Sequence, residues 1–389
     1  MHIALLHYYL RQPNPAYAQL AAALRDRGHR VWIGAADGNF DLTWHDGETE
    51  VNRCAGPGHR TGGHDSRPQI VQDWAFISRI RESIRRHSPD IVQVNPAALP
   101  LAWAIPLGMP SAVRFVIDWR QVAAPSADSH TDRLKQGIRI RFRRAYSRYI
   151  FDRAAFLHEA GAEMFLGPEW HRWASVVPLG VGTHFLADHE NDGCDQDRAK
   201  VCFLYIGSLS LVRKLDDLIE AARILKERTR NFELRLVGPD NADGHYQAEI
   251  RKLDLNDVVT IRPPIDYAEV PRVVRNADVG LAYVPNEPAD WQFHPTLKVL
   301  EYRALGIPII ATDVAPNGRE VVDGINGMLC ANQPAAWADA MFSLVGNRNR
   351  LAALRNHARL MRRGLSWADA AAKYEHDIYL GGTLRHKRL

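Results

Sequence analysis

Cysteine is scarce. Four residues, Cys54, Cys194, Cys202 and Cys330, lie far apart in 389, and none forms a CxxC pair. That spacing argues against both a disulfide framework and a zinc site, and makes a reducing cytoplasm the expected compartment. Long apolar runs are also missing: none reaches the ~18–20 residues that span a bilayer. The apolar start, Ile3 to Leu6, is too short for a signal peptide and has no basic leader, so it reads as a first β-strand. No GxGxxG follows that strand, which disfavours a dinucleotide-dependent oxidoreductase. The 17 histidines include no HExxH spacing, so no metal or other cofactor is expected. Internal repeats and long low-complexity tracts are absent as well.

What remains is the composition of a globular protein, 46% hydrophobic and 24% charged. The length suggests two domains. Short apolar runs alternate with amphipathic segments. In the first half the strand candidates are Ile3–Tyr8, Arg30–Ile33, Ile91–Val94, Ala112–Ile117, Phe156–Leu157 and Val176–Val177. In the second half they are Val201–Ile206, Glu233–Val237, Val258–Ile261, Val279–Val284 and Ile307–Ala311. Helical patterns lie between, so the fold class is α/β with parallel sheets, which bind ligands beyond the carboxyl ends of their strands. The order restarts near residue 200, after the polar stretch Ala187–Lys200. The expected domains are therefore 1–181 and 182–366, with a last helical segment from about 367 packing back on the first. Residues 36–67, rich in Gly, His and Asp, read as a long surface excursion.

Charge is uneven although the net value is only +4. Between Arg133 and Arg153 eight basic residues face one acid, Asp152. These cations interleave with Ile138, Ile140, Phe142, Tyr146, Tyr149 and Ile150. A basic amphipathic helix suits anionic lipid headgroups, and a solvated basic face packed on the sheet is the competing reading. No recognised motif accompanies the charge, so nucleic acid is not an expected partner.

The most informative segment is Phe293–Thr312, FHPTLKVLEYRALGIPIIAT. Leu297, Leu300, Ala304 and Leu305 share one helical face, with Lys298 and Glu301 on another. Thr296 is placed to cap the helix, and Gly306 ends it. A helix start beside Lys298 suits a diphosphate, and a carboxylate one turn further in can accept two ribose hydroxyls. From spacing alone, a solvated Lys298–Glu301 pair explains the same pattern.

The string P-T-L-K-V-L-E-Y-x-A-L-G-I-P-I-I-A-T resembles the nucleotide-sugar segment of the family 4 retaining glycosyltransferases, which have the two-domain GT-B fold. Tyr205–Ala221 (YIGSLSLVRKLDDLIEA), Leu236–Pro239 (LVGP), Ala277–Pro285 (ADVGLAYVP) and Asp323–Leu329 (DGINGML) resemble further family segments in the expected order. Pro178–Phe185 (PLGVGTHF) resembles the interdomain junction, while Leu20–Val31 and Ser88–Val94 match more weakly. The resemblance implies two Rossmann-like domains with an active cleft between them. The first would bind a glycan, lipid-linked or small-molecule acceptor, and the second a nucleotide-sugar donor. Glu301 would bind the ribose, with Lys298 and the backbone of Thr296 and Leu297 near the diphosphate. Arg213, or its neighbour Lys214, would neutralise phosphate charge. Gly207, Ser208 and Gly238 would line the donor site, and Arg262 and Pro264 its base-binding edge. Asp118, at the end of a first-domain strand, would face the donor sugar as a catalytic group beside Arg213 and Lys298. The sequence departs from the pattern where Phe293 replaces a glutamate eight residues before Glu301, where Ser208 replaces an arginine, and where Tyr8–Pro13 lacks a glycine pair. The alternatives are a GT-B nucleotide-sugar hydrolase or epimerase, and a non-catalytic partner that keeps the fold.

Overall fold

The computed structural model describes residues 1–8, 15–36, 42–46, 49–54, 69–96, 101–120, 130–187, 199–286, 289–362 and 366–381. The chain forms two compact units, Met1–Gly180 with Trp367–Leu389, and Val181–Ser366. Residues 9–14, where the glycine pair is missing, and most of the polar stretch 187–200 lie outside the described residues.

The first unit is built on an eight-stranded sheet. Its strands are β1 (His2–Tyr8), β2 (Arg30–Ala36), β3 (Leu42–Asp46), β4 (Thr49–Cys54), β5 (Ile91–Val94), β6 (Arg114–Trp119), β7 (Arg153–Phe156) and β8 (Ala174–Val176). Their order is β4-β3-β2-β1-β5-β6-β7-β8. All neighbours run parallel except at the β2–β3 and β3–β4 pairs. That antiparallel hairpin lies inside the segment read from sequence as a long surface excursion. Its strands, LTWHD and TEVNRC, carry too little apolar periodicity to be told from a loop. The central strands are mostly apolar because helices cover both faces of a parallel sheet, with Gln93 and Asp118 as buried polar exceptions. Ile91–Val94 is buried along its whole length.

The second unit carries a six-stranded parallel sheet. With two short strands, β10 (Leu209–Ser210) and β12 (Asp240–Asn241), its elements are β9 (Val201–Ile206), β11 (Phe232–Val237), β13 (Val259–Arg262), β14 (Val279–Ala282), β15 (Ile309–Thr312) and β16 (Gly327–Cys330). The order β13-β11-β9-β14-β15-β16 winds outward from β9 in both directions. It therefore has a topological switch point between β9 and β14, where open α/β sheets bind ligands. Strand β16 falls within the motif DGINGML and its continuation, which reads from sequence only as a turn.

The segment Trp367–Tyr379 belongs to the first unit. The π-helical turn Tyr374–Tyr379 and the strands meet around one carboxylate. Asp118 is 0% exposed. Its Oδ2 accepts from the Tyr17 hydroxyl (2.7 Å), Gln93 Nε2 (2.8 Å), Arg120 Nε (3.0 Å) and the Tyr374 hydroxyl (3.3 Å). The Tyr379 hydroxyl donates to Gln93 at 2.5 Å. Arg114 donates to the carbonyls of Ile378, Tyr379 and Gly381, and Arg27 pairs with Glu375 at 2.6 Å. Residues from both ends of the sequence thus close on Asp118. Removing one partner of a buried ion pair strands the other charge. Asp118→Ala should lower the unfolding free energy by about 3–5 kcal/mol. In chemical denaturation, a loss no larger than that of an exposed-site control such as Asp90→Ala would contradict this assignment.

Candidate nucleotide site

The helix Leu297–Leu305 starts at the switch point of the second unit. Thr296 is its cap by position and by extended backbone, φ −86° and ψ 135°, yet its hydroxyl makes no capping bond and is buried without a partner. The first-turn amides therefore lack a side-chain acceptor, and the positive end of the helix is open to an anion.

Two loops bring glycines to this helix. Gly207 and Gly238 end β9 and β11 with φ of +145° and +152°, backbone that L side chains rarely adopt. A Cβ on Gly238 would lie 2.0 Å from the Gly207 carbonyl oxygen, and one on Gly207 would lie 2.8 Å from Lys298 Cε. Glycine is required at both positions by conformation and by space. The chain links continue sideways: Gly207 N–H donates to Val237 O (2.9 Å) and Gly238 N–H to Arg262 O (3.2 Å). The carboxyl ends of β9, β11 and β13 thus form one edge.

Lys298 sits at this edge. Its Nζ is 4.8 Å from the centre of the Tyr205 ring. Burial, reinforced by the positive charge of Arg213, lowers its pKa to about 8, partly offset by Glu301. The Arg213 guanidinium stacks on Trp291 at 4.2 Å. Among the described residues neither cation has a carboxylate within ion-pair distance. Glu301 is only 4% exposed, so it is not half of a solvated pair. Its Oε1 accepts from the Tyr267 hydroxyl at 2.8 Å. Burial raises its pKa to about 7, against the lowering effects of Tyr267 and Lys298. Tyr267 in turn meets the His184 ring edge-on at 5.0 Å.

Other residues singled out by sequence are near this edge to different degrees. The Ser208 hydroxyl accepts from Asn241 at 2.9 Å. Lys214 is exposed and left-handed, φ 48°, after the short turn Leu211–Arg213. Arg262 and Pro264 are exposed at the end of β13. Leu297 is half-buried in the first turn of the helix. Phe293 is half-buried in the turn Ala289–Phe293; the nearby Asp290 side chain lies outside the described residues. Asp118 is not a group open to a sugar, which corrects the cleft-facing expectation. Its strand end is sealed by Tyr17 and the last segment of the chain, an association no local sequence pattern carries. Sequence reasoning passed over Tyr205, Tyr267 and Trp291, whose aromatic rings and hydroxyls hold the charged groups in place. Their signal was an aromatic residue at the end of a strand or loop feeding the edge.

This arrangement can bind a polyanion: two cations without carboxylate partners, an uncapped helix start and glycine backbone converge beside a carboxylate that can accept hydroxyls. Comparison with known proteins fits that chemistry. A model of the glycosyl transferases group 1 matches residues 200–347, and one of the glycosyl transferase 4-like domain matches residues 13–164. D-inositol 3-phosphate glycosyltransferase of Xylanimonas cellulosilytica is 31% identical over 190 residues, 47% of this chain and 42% of that protein. The Nocardia farcinica enzyme of the same name is 30% identical over 175 residues, 43% of this chain and 38% of that one. The chain thus spans less than half the length of these curated relatives. Among solved structures, Anabaena Alr3699/HepE in complex with UDP and glucose superposes with a TM-score of 0.67 at 13% identity, covering 96% of this chain and 98% of that one. WaaG, a glycosyltransferase involved in lipopolysaccharide biosynthesis, gives 0.64 at 16% identity, covering 98% and 100%. At such identities the likeness establishes the fold, two Rossmann-like domains of the GT-B type.

A half-buried lysine without a carboxylate partner costs stability. The folded pKa of Lys298, about 8, lies below its unfolded value of 10.5, so the unfolded chain binds more protons between those limits. The penalty is complete below pH ~8 and fades as pH rises toward 10.5. Lys298→Met should therefore stabilise the ligand-free protein at pH 7 by about 3 kcal/mol, with the gain shrinking toward pH 10. Equal melting temperatures for the two proteins at pH 7 would show that the ammonium is solvated.

Proposed function

The chain belongs to the group 1 glycosyltransferases, and we propose that it transfers a hexose from a nucleotide-diphosphate sugar to an acceptor with retention of anomeric configuration. One observation carries the donor half of this reading: Lys298 and Arg213 converge without carboxylate partners on the start of the Leu297–Leu305 helix, one turn from the buried Glu301. A nucleoside diphosphate supplies what each group lacks. Its phosphates meet the two cations and the first-turn amides, and its ribose hydroxyls donate to Glu301. Arg262 and Pro264, at the far end of the same edge, are placed for the base.

In the reaction the bond between sugar C1 and the β-phosphate oxygen breaks, and its electron pair stays with the diphosphate. Arg213 and Lys298 stabilise that charge as it develops. The acceptor oxygen bonds to C1 on the face the diphosphate leaves. The acceptor's proton passes to the departing phosphate oxygen. No protein base is needed for this route, which agrees with an Asp118 sealed from solvent. The acceptor is a glycan, a lipid-linked saccharide or a small hydroxylated molecule, recognised by the N-terminal unit, as in cell-surface glycoconjugate synthesis. UDP and UDP-glucose are the first donors to test because HepE was solved with both.

Glu301→Gln keeps the shape but halves the acceptor capacity toward two hydroxyls; it should weaken UDP binding about tenfold or more. Arg213→Gln should weaken it comparably while leaving the fold intact. Calorimetric titration checks both. Unchanged UDP affinity in both variants would remove the nucleotide assignment. With an acceptor mixture present, NMR of the product should show the donor's anomeric configuration. Sugar release at the same rate with and without acceptor would instead mark a nucleotide-sugar hydrolase.

A further inference from the structure

The helix His130–Tyr149 has two apolar sides. One packs inward through Ile140 and Tyr146, continued by Ile150 just past its end, against the core of the first unit. The other faces solvent. Leu134, Ile138, Phe142 and Tyr149 are 47–68% exposed. Their spacing repeats every three to four residues, so they form one stripe along about 22 Å of helix. Between 134 and 149 there are six basic residues and no acidic one. Helical geometry sets Lys135 and Arg139 on one flank of the stripe and Arg141 on the other, while Arg148 turns back onto the Leu166 carbonyl and the Trp173 ring.

The stripe does not end at this helix. Phe142 meets Trp103 edge-on at 5.6 Å, and Trp103 meets Trp74 at 5.8 Å. Trp74 belongs to the first turns of the helix Gln69–His87, where Ile70, Val71 and Trp74 are themselves 38–52% exposed. A run of three touching aromatic rings thus joins exposed apolar residues of two helices into one patch. Contiguous exposure of this kind marks an interaction surface.

We propose that this two-helix patch is the face by which the N-terminal unit lies on an anionic lipid bilayer. Leu134, Ile138 and Ile70 would enter the acyl boundary, Trp74 and Tyr149 would sit at headgroup depth, and the flanking arginines would meet lipid phosphates. Charge selects this occupant over a second copy of the chain. A two-fold contact through the same patch would bring Lys135, Arg139 and Arg141 against their own copies, with Asp73 the one acid in the segments 70–74 and 134–149. The contact is peripheral, since among the described residues no helix is long and apolar enough to cross a membrane. The inference rests on residues outside the nucleotide site, so either stands without the other.

The test is co-sedimentation of the full chain with phosphatidylcholine vesicles, with and without phosphatidylglycerol, at low and high salt. Binding should require the anionic lipid and fall with salt. Arg139→Gln with Arg141→Gln should lower partition about thirtyfold. Leu134→Ser with Ile138→Ser should lower it about tenfold or more while removing only exposed side chains. Both double variants should keep the wild-type UDP affinity, which shows that the protein remains folded. Equal binding to both vesicle types, absence of binding, or binding that neither double variant weakens would overturn the proposal. So would loss of self-association in the apolar variant of a protein that ignores vesicles, which would assign the patch to contact between copies.

Discussion

A half-buried ammonium and a buried carboxylate stand one helical turn apart without forming an ion pair, and the second unit is shaped around that constraint. Lys298 is pushed down to a pKa of about 8 and Glu301 up to about 7, both chiefly by burial. Neither shift comes from a mutual salt bridge, so each charge is held in readiness for a partner from outside. The cost is borne by the surrounding packing. Gly207 and Gly238 give up side chains so that β9, β11 and the lysine can approach, and Tyr205, Trp291 and Tyr267 occupy the space beside the charges. Local destabilisation of this kind is expected where a site is organised before its ligand arrives.

The first unit resolves its buried charge in the opposite way. Asp118 collects four donors on one oxygen, including Arg120, and two of those donors come from residues near the two ends of the sequence. A carboxylate so engaged on Oδ2 and sealed from solvent holds elements together and is out of reach of a passing sugar. The two units share a parallel-sheet plan, yet one spends its central carboxylate on cohesion and the other leaves it for a ligand.

The alternating apolar runs were enough to place β1, β2, β5 and all the inner strands of the second sheet, because central parallel strands are buried on both faces and read as continuous hydrophobic runs. The edge strand β13 was placed too, but other edge elements escaped. The β3–β4 hairpin and β16 carry His, Asp, Asn and Gly where a buried strand would carry Val or Ile, so their pairing is legible only in three dimensions. The nucleotide edge was legible as a motif in Thr296–Glu301, since helix start, lysine and carboxylate are fixed by local spacing. That Glu301 is buried and bonded to Tyr267, and that Arg213 rests on Trp291, depend on contacts between segments 34 and 78 residues apart. Asp118 was misread for the same reason: its partners Tyr17 and Tyr374 are remote in sequence. The basic stretch around 133–153 was visible as charge, whereas the outward apolar stripe emerged only once the inward face had been identified.

The central claim is that a diphosphate supplies the missing partner of Lys298. It is tested most directly by the proton balance of UDP-glucose binding, measured calorimetrically in buffers of different ionisation enthalpy. Above pH 8 the free lysine is largely neutral, and bound phosphate favours its charged form. Binding near pH 8.5 should therefore take up a substantial fraction of a proton, and the uptake should vanish in Lys298→Met. Binding with no net proton uptake in the wild-type protein at that pH would contradict the account.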